Sequence, residues 1–258
     1  MSEAGHPDAG TVATERRGPV LVVRLLRESK RNAINQRMAE GIEDALDGLE
    51  SDPELRVGVI TGTTSIFCAG SDLHESERTR MPHGGEYGVI RRRRTKPLIA
   101  AVEGGALGGG LEIVLACDLV VASETAYFGL PEVRRGTLAA SGALFRAVQA
   151  LPPNVARELL LTGRTLDVDR AVRLGFVNEA APAGAAVDRA CAMAAEICLG
   201  APNSVLETLQ VLREVNETYE DRGWRYTGES LKRVRASADM REGVAAFFEK
   251  RQPRWVPD

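Results

Sequence analysis

The chain of 258 residues is 44% hydrophobic and 27% charged, so it can bury one large core. A net charge of −3 gives no electrostatic reason to expect a nucleic-acid or membrane-surface partner, and no apolar run approaches the roughly 20 residues that span a bilayer. Four cysteines without a CxxC pair or a Cys/His cluster favour a reduced, cytoplasmic protein with no bound metal.

The first third of the chain alternates strand and helix after a polar N-terminal tail over residues 1–11, which we expect to be disordered. The predicted elements are a strand over 19–26, a helix from 36 to 51, a strand over 56–61, a loop over 62–70, and a helix start at 71–73 with Ser71 or Asp72 as its cap. Residues 74–96 are polar and irregular, and the run Arg91–Arg94 is typical of a solvated helix face.

The most informative stretch runs from Leu98 to Cys117. It begins as an apolar strand to Val102, continues with five glycines within seven residues, and resumes as a helix from Leu111. A strand, a glycine turn and a helix start bring bare backbone N–H groups close to a ligand, and such a site favours an oxyanion. Glu112 lies within one helical turn of it.

The remaining pattern predicts two strands, followed by helices with one more short strand among them. These elements are strands over 118–123, 126–129 and 176–179, and helices over 144–151, 155–161, 168–174, 184–199, 203–219, 224–236 and 240–251. The sequence therefore predicts an α/β core with a helical C-terminal extension.

Three segments together resemble the crotonase (enoyl-CoA hydratase/isomerase) superfamily. They are Phe67-Cys68-Ala69-Gly70-Ser71-Asp72-Leu73, residues 96–102, and GGALGGGLEIVLACDLVVASETAYFGLPE ending at Glu132. The similarity extends over residues 18–255. It implies a ClpP-like spiral of ββα units over residues 12–199. A helical region over 200–258 would mediate homotrimer or hexamer assembly and cover the coenzyme A site.

The resemblance implies an acyl-CoA thioester as substrate and no separate cofactor. The backbone N–H groups of Ser71 and Gly109 match the oxyanion hole that holds the enolate oxygen. Glu112 and Glu132 match the paired acids of the hydratases. Adding water to a double bond needs one base and one acid, and apolar neighbours would raise a carboxyl pKa as the acid role requires.

The coenzyme A site implied by the resemblance combines cationic side chains with backbone groups. Its members are Lys30, Arg31, Ala33, Ala69, Ser71, Asp72, Leu73, His74, Gly109 and, from a neighbouring subunit, Lys250. His74 stands where the family often has lysine.

Two features depart from the hydratase pattern. Residues 138–143 read Leu-Ala-Ala-Ser-Gly-Ala where many hydratases have Pro-Gly-x-Gly-Gly, and Arg134-Arg135 place positive charge that favours the ionised form of Glu132. The alternatives are therefore double-bond isomerisation, dehydration of a carnitinyl-CoA type substrate, and a non-catalytic acyl-CoA- or RNA-binding member. The two retained acids favour the hydratase.

Overall fold

The computed structural model describes residues 11–72 and 79–255, which form an α/β fold. The strands within these residues are β1 (Thr11–Arg17), β2 (Val20–Leu26), β3 (Val57–Thr61), β4 (Ile66–Cys68), β5 (Arg80–Met81), β6 (Gly85–Glu86), β7 (Leu98–Val102), β8 (Gly105–Leu107), β9 (Leu119–Ser123), β10 (Tyr127–Gly129), β11 (Thr165–Asp167) and β12 (Glu179–Ala181). The helices are α1 (Gln36–Ser51), α2 (Gly109–Leu115), α3 (Ala143–Ala150), α4 (Pro153–Thr162), α5 (Val168–Arg173), α6 (Ala186–Leu199), α7 (Pro202–Ala236) and α8 (Ala238–Phe248).

The larger sheet has the strand order β1-β2-β3-β7-β9-β12, and all of its pairs except β1–β2 are parallel. Alternate side chains of its central strands enter two different cores. On β7, Ile99 and Ala101 face the smaller core against α6, whereas Leu98, Ala100 and Val102 belong to the larger one. Burial of both faces explains why these strands are almost continuously apolar.

A smaller sheet with the order β11-β10-β8-β4 stands beside the larger one. A strand of the larger sheet is followed by a strand of the smaller sheet and then by helix, as in β7, β8 and α2. This repeated ββα unit confirms the predicted architecture. The parallel pairs β4–β8 and β8–β10 place the carboxyl ends of three strands at one edge.

Several element predictions were wrong in detail. Thr11, assigned to the tail, begins β1, and the predicted loop over 62–70 contains β4. The glycine turn contains β8, and the strand predicted over 176–179 is β12 at Glu179–Ala181. The short strands gain their stability from pairing with distant segments, which a local pattern does not report.

The C-terminal helices predicted over 203–219 and 224–236 are one helix, α7, of 35 residues. Gly223, which lies between the two predicted segments, is inside this helix. A Cβ at this position would lie 2.4 Å from the Phe145 ring, so the glycine allows a close helix contact. No helix within the described residues is long and apolar enough to cross a bilayer.

The arginine run is not a simple solvated face, because its side chains are paired within the chain. Arg91 bonds Glu86 at 2.8 Å and stacks on Trp224, with its guanidinium carbon 3.6 Å from the ring centroid. Arg92 and Arg94 are buried against carboxylates of α1 and of Asp118. These contacts anchor the 79–97 segment to Trp224, to α1 and to Asp118.

Candidate active site

The candidate site is built where β4, β8 and β10 end. Because the three strands run parallel, Ser71, Gly109 and Glu132 follow their carboxyl ends at the same edge of the sheet. The Gly108 N–H donates to the Gly129 carbonyl oxygen at 2.9 Å, which joins the β8 turn to the segment leading to Glu132. Residues far apart in the chain are thereby brought together.

The two predicted oxyanion turns adjoin each other. Gly70 has φ +98°, and a Cβ there would lie 2.9 Å from the Gly109 nitrogen. Only glycine permits this approach and this dihedral angle. As the first residue of α2, Gly109 has no intrahelical acceptor for its N–H. The turn that precedes Ser71 therefore lies directly against the Gly109 nitrogen, a proximity that two converging donors would require.

Glu112 lies in the first turn of α2 and is 2% exposed. Its Oε1 accepts hydrogen bonds from the N–H groups of Ser141 at 2.6 Å and Ala143 at 3.2 Å. Burial raises the pKa of this carboxyl, and the negative charge of Glu132 raises it further, whereas the two N–H bonds act in the opposite direction. The unusual 138–143 segment thus orients Glu112 through its backbone.

Glu132 lies in a short 3₁₀ turn over Pro131–Arg135. Its Oε2 is buried and has no hydrogen-bond partner among the described residues. Burial raises the pKa of this carboxyl. The guanidinium of Arg135 opposes that shift but does not outweigh it, and Arg134 donates instead to the Thr162 carbonyl. The charge of Arg135 favours the ionised form of Glu132, as expected, but burial outweighs it.

The sequence pattern did not identify Tyr87, which belongs to this site. Its hydroxyl lies 2.7 Å from Ser71 Oγ and accepts from Ser141 Oγ at 3.3 Å. A Cβ on Gly109 would lie 2.5 Å from the same hydroxyl. Its signal in the sequence is that it is the one aromatic residue between Phe67 and Tyr127.

A family model described as enoyl-CoA hydratase/isomerase matches residues 15–257 of this chain. The chain belongs to the enoyl-CoA hydratase/isomerase family. The expected resemblance is therefore confirmed, and the match includes both glutamates and both glycine turns.

Relatives in this family differ in the substrates that their names give. A mevalonyl-coenzyme A hydratase of Aspergillus fumigatus is 37% identical, with 100% of this chain and 99% of the relative aligned. An enoyl-CoA hydratase of Mycobacterium tuberculosis is 36% identical, with 96% of each chain aligned. The crystal structure of a carnitinyl-CoA hydratase from Mycobacterium avium superposes with a TM-score of 0.90 at 41% identity, covering 96% of this chain and 98% of that one. The predicted fold is thus confirmed.

The segments predicted from the family to bind coenzyme A lie together. The Ala69 N–H donates to the Arg31 carbonyl at 3.0 Å, and the Ile34 N–H donates to the Gly70 carbonyl at 2.8 Å. Lys30 and Arg31 are exposed at the tip of this turn and Ala33 is half-buried. Asn32, which the sequence pattern did not single out, is fully buried and bonds the Ile66 and Phe67 carbonyls. It holds the turn in place.

The other residues predicted to bind coenzyme A lie in different environments. The Asp72 carboxylate accepts from buried Arg27 at 2.7 Å, so its side chain is part of a buried ion pair. Leu73 and His74 lie outside the described residues. Lys250 is exposed just beyond the end of α8. The helix itself packs on the turn that carries Glu132, since a Cβ on Gly243 would lie 2.1 Å from the Arg135 carbonyl oxygen.

Proposed function

We propose that this family member is an enoyl-CoA hydratase, a lyase that adds water to the double bond of a 2-enoyl-CoA thioester. The observation that carries the proposal is the pair of buried, mutually interacting carboxyl groups beside two adjoining glycine turns. The turns supply donors for a thioester oxygen, and the pair supplies a base and an acid.

The two acids have different surroundings, which support different roles. Two N–H groups donate to Glu112 Oε1, and this favours its ionised form, suited to a base. The unpartnered, buried Glu132 Oε2 favours the protonated form, suited to an acid.

The reaction proceeds through an enolate held by the N–H groups of Ser71 and Gly109. Glu112 takes one proton from water as the water oxygen bonds C3, and the thioester oxygen gains negative charge. Glu132 then gives its proton to C2, which yields the 3-hydroxyacyl-CoA. Proton exchange with solvent restores both acids, and coenzyme A enters only as part of the substrate, without another cofactor.

The test is loss of enoyl absorbance when crotonyl-CoA is mixed with the protein, with the product mass measured in parallel. A gain of one water identifies hydration. Crotonobetainyl-CoA in the same assay tests a carnitinyl-CoA type reaction, a second candidate favoured by the match to the Mycobacterium avium structure. A product of unchanged mass with a shifted double bond would instead identify an isomerase. Binding without turnover would support the non-catalytic alternative.

The pH dependence follows from the two raised pKa values. Burial raises the pKa of both carboxyls, and because their charges repel, the pair loses its two protons in two steps, at about pH 7 and about pH 8. The pair holds one proton between these values, and we assign that proton to Glu132, whose buried Oε2 has no other hydrogen-bond partner among the described residues. Below them both acids are protonated and no base remains, and above them both are ionised and no acid remains. We therefore expect kcat/KM to peak between about pH 7 and pH 8, and a flat pH–rate profile would contradict the pairing.

We also propose a cytoplasmic location, which the four free cysteines support.

A further proposal is that the chain assembles into a homotrimer or hexamer through its C-terminal helices. Helix α7 leaves large apolar side chains exposed, including Val211, Leu212 and Val215 at 55%, 59% and 79%. Sedimentation should report three or six times 27.8 kDa. Val215→Glu should lower that mass, because a charge in an apolar interface is costly. A monomeric wild-type protein would contradict the assembly.

A further inference from the structure

The wall between the oxyanion turns and Glu112 is lined with hydroxyl groups. The Tyr87 hydroxyl hydrogen-bonds Ser71 on one side and Ser141 on the other, and the Ser141 N–H donates to Glu112. Tyr87 is buried, whereas Ser71 and Ser141 are half-buried. We call Ser71, Tyr87 and Ser141 the hydroxyl trio. It connects one predicted oxyanion residue to the support of one predicted acid.

Tyr87 is held in this position at a conformational cost. Its φ of 59° lies in the left-handed region, which is unusual for a bulky side chain. The segment around it is fixed on α1, where the Glu43 carboxylate accepts from the N–H groups of His83 and Gly84 at 3.1 and 2.7 Å. Such strain persists only where the surroundings enforce it, and it concentrates at functional sites.

In the proposed pose, the acyl group of the substrate lies beside the hydroxyl trio. A thioester oxygen between the Ser71 and Gly109 N–H groups places the acyl carbons between the turns and Glu112, and the Tyr87 hydroxyl lies over Gly109. Ser141 also hydrogen-bonds Glu112 through its side chain, so all three hydroxyl protons can be used within the site, but the oxygens of the trio keep acceptor lone pairs. An alkyl group against the trio would remove water from these oxygens without replacing its hydrogen bonds.

We infer that Tyr87 selects the acyl group, and that the site takes an enoyl-CoA whose acyl part carries a hydroxyl substituent rather than an unbranched alkyl chain. This inference rests on the proposed function, because it takes Ser71 and Gly109 to hold the thioester oxygen. A neutral hydroxyl fits the trio because it can donate to a lone pair of these oxygens, which an alkyl group cannot do.

The test compares two substrates of nearly equal shape, 4-hydroxybut-2-enoyl-CoA and pent-2-enoyl-CoA, which differ by a hydroxyl in place of a methyl group. We expect wild-type kcat/KM to favour the hydroxylated substrate by about tenfold or more. In Tyr87→Phe this ratio should fall by about tenfold, and Ser71→Ala, which keeps its backbone N–H, should lower it as well. Tyr226→Phe removes a phenol hydroxyl from an exposed position on α7 and should leave the ratio unchanged.

The same ratio can be measured without turnover, as Kd for the saturated pair 4-hydroxybutanoyl-CoA and pentanoyl-CoA by calorimetry. A wild-type preference that Tyr87→Phe abolishes in binding would support the inference even if no enoyl-CoA is hydrated, in which case the proposed function alone fails. Equal losses for both substrates in Tyr87→Phe, or no wild-type preference in either assay, would overturn the inference.

Discussion

Glu112→Gln and Glu132→Gln should each lower kcat for enoyl-CoA hydration by roughly 10²- to 10⁴-fold. Each amide keeps the size of the side chain but can neither accept a proton from water nor deliver one to C2. Stopped-flow measurement of enoyl absorbance, with single turnovers for the slow variants, gives the rates. The double variant should be little slower than the slower single variant, because the two residues work as one unit in the same reaction.

Glu103→Gln is the matched control for the two acid variants. Glu103 is also buried, at 3% exposure, but its carboxylate accepts from the N–H groups of Gly184 and Ala186 at the start of α6. Its loss should lower the free energy of unfolding and leave kcat within a few-fold of wild type. If only one of the two site glutamates proves essential, the chemistry is that of an isomerase, and the two-acid mechanism fails.

The parts of the site that are contiguous in sequence could be predicted from it. The strand, glycine turn and helix from Leu98 to Leu115 have local signals, and the position of Glu112 follows from them. Glu132 could be placed only through the family resemblance. Its proximity to Glu112 depends on the parallel pairing of β8 with β10, whose strands have three residues each. Short pairings of this kind lack a periodic signal.

The surroundings of the site could not be predicted, because they depend on contacts between distant segments. Tyr87 acquires its position from Glu43 on α1 and from the ion pairs of the neighbouring arginines. The Leu138–Ala143 segment differs from the hydratase pattern in its side chains. What the structure shows of it is a pair of N–H groups, of Ser141 and Ala143, that orient Glu112. Backbone donors of this kind are available whatever the side chains are, so the sequence does not reveal them.

Gly108→Ala should lower kcat by about 10²-fold, because one added methyl group displaces an acid. Gly108 precedes α2 with φ 55° and ψ −124°, a conformation that residues with a Cβ rarely adopt. A Cβ there would lie 2.9 Å from Glu132 Oε1, so the carboxyl must move or the turn must open. Gly18→Ala is the matched control, since Gly18 has φ +61° and a Cβ added there would have no heavy atom within 4 Å. Both substitutions should cost on the order of 1–3 kcal/mol in thermal or urea unfolding. Only Gly108→Ala should slow hydration, and equal activity in the two variants would show that Glu132 does not act from this turn.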